Sequence, residues 1–157
     1  MTAAEQEPGD WLEAPSSAVD AAANGPRPLE PIEAVALRLR DVSPAWHDAA
    51  VREHDLPKGT RLPGISRDRA IGVEAIREGW LLHRGASRIA PAASPDLALL
   101  VGDWCYASGL CSIADHGSLD DVATLARLIA DVSARRADEV EALEPRWTEA
   151  IEALQDA

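Results

Sequence analysis

An all-α fold, a helical bundle of five or six helices, is what this sequence predicts, and three observations carry the expectation. The apolar residues are mostly Ala, Leu, Val and Ile, with no Phe and one Tyr. That mix is rich in helix formers and poor in the aromatic and β-branched runs of strands. These residues recur at i, i+3, i+4 and i+7 along most of the chain. At Ser43-Pro44 and Ser94-Pro95 a capping hydroxyl directly precedes a proline suited to a first helical turn.

With 157 residues, 46% of them hydrophobic, the chain is long enough to bury one real core. Residues 1–28 hold Pro, Ala, Ser, Gly and acids without sustained periodicity and read as an acidic, mobile tail, with Trp11-Leu12 as a small docking point or an incidental apolar pair. Residues 29–157 read as a single helical domain.

The first helix follows Leu29, with Pro31 in its first turn and Ile32, Val35, Ala36 and Leu39 on one face. Ser43 caps a second, "SPAWHDAAVREHD", which puts the pairs His47-Asp48 and His54-Asp55 on one face, read here as surface residues. "LPKGTRLPG" is a loop by its prolines and glycines. Ser66 caps a third helix running to about Arg84, with Val73, Ile76 and Trp80 toward the core. After "GASRIAPAASP", Ser94 opens a fourth helix that stops at Gly117. Ser118 and Asp121 form a capping box for a fifth, whose core face is Val122, Leu125, Ala126, Ile129 and Val132. Arg127, Asp131 and Arg135 are spaced to pair on its solvated side. Pro145 starts a last helix with Trp147, Ile151 and Leu154 aligned.

The formal charge of −12 works against binding to nucleic acid or to an anionic membrane. It is uneven, since Lys58 to Arg69 is a basic run between acidic ends. The longest apolar stretch, Leu97 to Ala114, contains Asp103 and reads as a core helix rather than a membrane span. No signal-like segment follows Met1, so the expectation is a cytoplasmic protein with free thiols. Cys105 and Cys111 are set about 120° apart around a helix and cannot bridge locally. With His116 they match no zinc framework.

Glu74 and Glu78 lie at i, i+4, so both carboxylates project from one face of the third helix. Such a pair can share a Mg²⁺ ion, or Glu74 can simply pair with Arg77. Arg84 and Arg88 bracket the following loop, where guanidinium groups can grip a diphosphate or offset a helix dipole. Gly102 and Gly109, seven residues apart on one face, predict the close approach of another helix, and the neighbouring Asp103 predicts a partner, Arg84 or Arg88.

"LLHRGASR" followed by "LALLVGDWCYASGL" resembles the trans-isoprenyl (polyprenyl) diphosphate synthases, all-α enzymes that elongate allylic diphosphates with isopentenyl diphosphate. His83-Arg84-Gly85 stands where the family has Arg-Arg-Gly, and Gly102-Asp103-Trp104 where it has Gly-Asp-Tyr or Gly-Asp-Trp, with the family's separation. The resemblance covers roughly Ile71 to Arg135. It implies part of the isoprenoid synthase fold, diphosphate contact by Arg84 and His83, and Mg²⁺ at Glu74 and Glu78.

The departures are equally specific. The first aspartate-rich motif, Asp-Asp-x-x-Asp in the family, falls on Glu74-Ala75-Ile76-Arg77-Glu78, with one acid missing and a cation inserted. Ala86-Ser87-Arg88 replaces the usual Lys-Pro-Thr, and the sequence stops before the second aspartate-rich motif would occur. "KGTRLP" echoes the family's Gly-Gly-Lys-Arg-x-Arg-Pro loop but lies too close to Glu74 for that site to carry over. Ionising an allylic diphosphate needs several positive charges around the leaving group. The expectation is therefore a catalytically incomplete relative with no catalytic residue of its own. It would be a small or regulatory subunit of a full-length prenyl synthase, a self-associating chain, or a remnant with no prenyl role; the alternatives are a helical interaction module without an isoprenoid role and a trans-prenyltransferase acting by itself on allylic and isopentenyl diphosphates.

Overall fold

A computed structural model of the chain describes residues 28–52, 55–56, 58–134 and 143–155. Among the described residues there are six helices and no strand: α1 Pro31–Val42, α2 Pro44–Ala49, α3 Arg67–Leu82, α4 Pro95–His116, α5 Leu119–Ser133 and α6 Glu144–Gln155. The all-α bundle is thus the architecture observed. The tail with Trp11 and Leu12, together with Glu53, His54 and Arg135, lies outside the described residues.

The contact that organises the bundle is the antiparallel pairing of α3 and α4. A Cβ on Gly72 would lie 2.9 Å from the Gly109 carbonyl oxygen, and one on Gly109 would lie 2.7 Å from the Gly72 carbonyl oxygen. A Cβ on Gly79 would sit 2.8 Å from the Gly102 carbonyl oxygen. Two glycines on each helix, seven residues apart, therefore meet in register and let the backbones touch, as Gly102 and Gly109 predict.

Because α4 comes so close, α3 is covered on nearly every side, and Ala70 through Ala75 are all buried. One core cluster packs Ile32, Val35 and Leu39 of α1 and Trp46 of α2 against Ile71, Ala75 and Leu82 of α3. The other joins Val73, Ile76 and Trp80 of α3 to Leu125, Leu128 and Val132 of α5 and Trp147 and Leu154 of α6. Trp80 and Trp147 meet at 5.7 Å between ring centroids, removing on the order of 150–250 Å² each from water. At 22 residues, α4 is long and apolar enough by length and composition to cross a membrane, and its glycine face packs on α3.

Helix starts follow the serine signals. Ser43 Oγ accepts from the Trp46 N–H at 3.3 Å, and Ser94 Oγ from the Leu97 N–H at 3.4 Å. Ser118 and Asp121 form the reciprocal capping box, at 3.1 and 2.8 Å. Ser66 occupies its N-cap position without a side-chain bond. Asp121 also accepts from Arg69 at 3.0 Å, and the same guanidinium donates to the Leu154 carbonyl oxygen at 2.7 Å, joining α3 to the start of α5 and the end of α6.

Three expectations need correction. α2 ends at Ala49, because Ala50 turns extended and the Val51 N–H donates to the Ile89 carbonyl oxygen at 2.7 Å; the second helix therefore does not reach Asp55. Of the expected core face of α5, Leu125 and Val132 are buried and Val122 and Ile129 pack against the core partly buried, but Ala126 is exposed and Leu128 is buried in its place. Its apolar stripe is wide enough for either rotation, and burying Leu128 removes more apolar surface than burying Ala126. Finally, Arg127 donates to Thr124 Oγ1 at 3.3 Å rather than pairing with Asp131.

The glycine contact is open to direct test. Replacing an interior helical glycine by alanine ordinarily gains about 1 kcal/mol of propensity. Gly109→Ala should instead destabilise the protein by about 1–3 kcal/mol in urea titrations, since the Gly72 backbone cannot yield.

Candidate functional site

Glu74 and Glu78 stand one turn apart on α3, and their side chains are fully buried. Between them lies the guanidinium of Arg88, delivered by the loop that joins α3 to α4. Arg88 Nη2 donates to Glu74 Oε2 and Nε to Glu78 Oε1, each at 2.5 Å. Glu78 Oε2 accepts from Ser87 Oγ at 3.0 Å and from the Arg88 N–H at 3.1 Å. Glu74 Oε1 accepts from the Thr60 N–H. All four carboxylate oxygens are therefore engaged.

This arrangement suits the surroundings. Burial disfavours the Arg88 cation, but the charges of Glu78 and Glu74 and the bonds to both outweigh that penalty, and the guanidinium is held above its ordinary range. A buried carboxylate without a partner would be costly. Arg77, the other candidate partner of Glu74, reaches Glu144 at 2.9 Å and lies over the Trp147 ring at 5.4 Å.

The clamp answers whether a metal fits. Mg²⁺ demands near-octahedral oxygen ligation and keeps several of its waters. Here the space between the carboxylates is filled by a guanidinium, and each oxygen already accepts a hydrogen bond. Among the described residues, no group of three or more His, Cys, Asp or Glu side chains is placed to hold a metal ion. The Glu74–Glu78 pair does not fit Mg²⁺ while Arg88 is in place.

The two motifs that carry the family resemblance are brought into contact. His83, capping α3, lies in the notch left by Gly102, where a Cβ would collide with its ring. Its Nε2 is 3.2 Å from Asp103 Oδ1 and 3.3 Å from the Leu99 carbonyl oxygen, and its ring meets Tyr106 edge-on at 5.2 Å. Asp103 is therefore not a core residue paired with Arg84 or Arg88. Its side chain is 75% exposed, because the glycine beside it faces α3 and turns the carboxylate outward toward His83.

Arg84 points elsewhere. It donates to the Val132 carbonyl oxygen at 2.7 Å and stacks over the Trp80 ring at 4.9 Å, so it closes the end of α5 where free carbonyls gather negative charge. The four sequence candidates therefore split into a filled clamp, Glu74 with Glu78, and two residues attached to different helices. Comparison with models of known protein families, with curated proteins and with solved structures returned no match.

The thiols divide as well. Cys105 is buried and Cys111 exposed. His116 Nδ1 lies 2.9 Å from the Ser112 carbonyl oxygen, on its own helix. Burial, aided by the negative charge of Glu78, pushes the Cys105 thiol up, which leaves it protonated and inert.

What sequence reasoning missed is Arg88 as the shared partner of both glutamates. A signal was present: Glu74 and Glu78 sit among Ile71, Val73, Ala75, Ile76 and Trp80, so the stretch of helix around them is apolar apart from Arg77. Two acids in that setting require a cation from outside the helix.

Two measurements follow. Arg88→Met should cost about 3–5 kcal/mol in denaturant titrations, while combining it with Glu74→Gln and Glu78→Gln should recover much of that loss. A thiol reagent should modify Cys111 alone in the native protein, with Cys105 still unreactive at about pH 9 and accessible only on unfolding.

Proposed function

We propose that this chain is a non-catalytic helical subunit that works with a polyprenyl diphosphate synthase. The observation that carries the reading is the Arg88 guanidinium, which stands between Glu74 and Glu78 at the positions corresponding to the family's first metal-binding motif. A chain built this way lacks the cation that an allylic diphosphate would need for ionisation, yet keeps a rigid helix pair. Contact between His83 and the Gly102-Asp103 step, the residues of the resemblance, supports descent from that scaffold.

In this reading the chain acts through its surface. On α4, Leu99 and Leu100 are 53% and 57% exposed, and Ala107 and Cys111 are exposed on the same helix. Leu119, at the start of α5, is 86% exposed. Covering such residues with a partner removes apolar area from water. Arg84 and His83 are already committed to Val132, Trp80, Leu99 and Asp103, so the subunit takes no diphosphate or Mg²⁺ of its own.

The second reading, a helical interaction module with no isoprenoid role, shares the same apolar surface and is favoured by the filled clamp alone. Coexpression with the full-length prenyl synthase of the same cell separates the two. A stable complex with an altered product chain length is expected. Failure to co-purify together with unchanged products leaves the interaction module. The purified chain should form no product from Mg²⁺, an allylic diphosphate and isopentenyl diphosphate, and MgCl₂ should not shift its Tm. Turnover abolished by Arg84→Ala would refute the non-catalytic assignment.

A further inference from the structure

The basic run from Lys58 to Arg69 has a structural destination that neither the clamp nor the α4 surface uses. An open groove of about 800 Å³ lies between the segment entering α1 and the loop before α3. Its apolar walls come from Leu29, Pro31, Leu62, Pro63 and Ile65, and its rim carries Lys58, Arg61 and Arg67; Glu30 is the carboxylate in its lining, and Arg67 also lies 4.0 Å from Asp68 Oδ1, which leaves Lys58 and Arg61 as the cations the groove offers. Lys58 and Arg61 are exposed and have no hydrogen-bond or ion-pair partner among the described residues. In a chain of net charge −12, these two cations on one groove form a local reversal of sign.

The loop that bears these cations is pinned rather than loose. The Thr60 N–H donates to the buried Glu74 carboxylate, and Gln155 Nε2 donates to the Pro63 carbonyl oxygen at 2.5 Å. Arg67 Nε donates to the Leu29 carbonyl oxygen at 3.0 Å, tying the two walls together. A pre-ordered rim lowers the cost of ordering a ligand against it.

We propose that this groove binds an acidic, extended peptide segment of a partner protein. Exposed, separated cations favour charge spread along a chain over one compact anion, which needs several donors converging on a single point. The proline- and leucine-lined walls suit the apolar and proline residues that interrupt acidic segments. A nucleic acid would run beyond the groove onto the acidic remainder of the surface, whereas a short peptide is confined to the basic patch. The site is separate from the proposed prenyl synthase partnership and stands without it.

The probe is a fluorescein-labelled peptide of alternating glutamate and proline, titrated with the full chain and followed by anisotropy. Saturable binding is expected at about 20 mM salt, weakening tenfold or more at about 200 mM. The double variant Lys58→Glu, Arg61→Glu should also lose tenfold or more while keeping the parent circular dichroism, since both side chains are exposed. Absence of saturable binding at low salt, or unchanged affinity in the double variant, overturns the proposal. So does displacement of the peptide by an equal concentration of inorganic diphosphate, which would mark a compact-anion site instead.

Discussion

The backbone contact between α3 and α4 is the constraint from which the other features descend. Once Gly72 meets Gly109 and Gly79 meets Gly102, the helices are too close for a side chain at any of these four positions. α3 then has a neighbour on that side as well as the two core clusters flanking it, and between Ala70 and Trp80 only Arg77 reaches water. Glutamates at positions 74 and 78 are buried as a result of where α3 lies. They require a cation, and the loop between the paired helices is short enough to supply one from Arg88.

The same chain of causes explains why the clamp is a structural device. Its oxygens hold three separate segments at once: Thr60 before α3, Ser87 and Arg88 after it, and α3 itself. Hydrogen bonds from backbone and hydroxyl donors satisfy what the guanidinium leaves over, which is the condition under which a buried ion pair is tolerated. A carboxylate pair used in this manner fixes loop geometry, and through Thr60 it orders the basic rim of the groove.

Much of the fold was legible because its signals are local. Ser94-Pro95, Gly117 and the Ser118–Asp121 box set the limits of α4 and the start of α5 by short-range hydrogen bonding, and the heptad spacing of Gly102 and Gly109 announced a close helix. Gly72 and Gly79 have the same spacing, but pairing them with Gly109 and Gly102 needs the register that only packing supplies. The end of α2 was hidden for a related reason: the bond from Val51 to Ile89 spans the loop regions of both segments. The rotation of α5 turned on Leu128 against Ala126, a choice between two apolar stripes that periodicity leaves open. At the candidate site the type and spacing of Glu74 and Glu78 were visible, while the identity of their cation depended on how a loop folds back.

The register of the glycine pairs also bears on how this chain can change over generations. An inserted or deleted residue between Gly72 and Gly79, or between Gly102 and Gly109, would bring one glycine pair into phase only by moving the other out of it. Lengthening the intervening loop would keep both pairs but would shift Arg88 away from the carboxylates it must reach. From Gly72 to Gly109 the spacing of the chain is therefore as constrained as its composition. Length variation among descendants belongs outside that interval, in the segments before α3 and after α4.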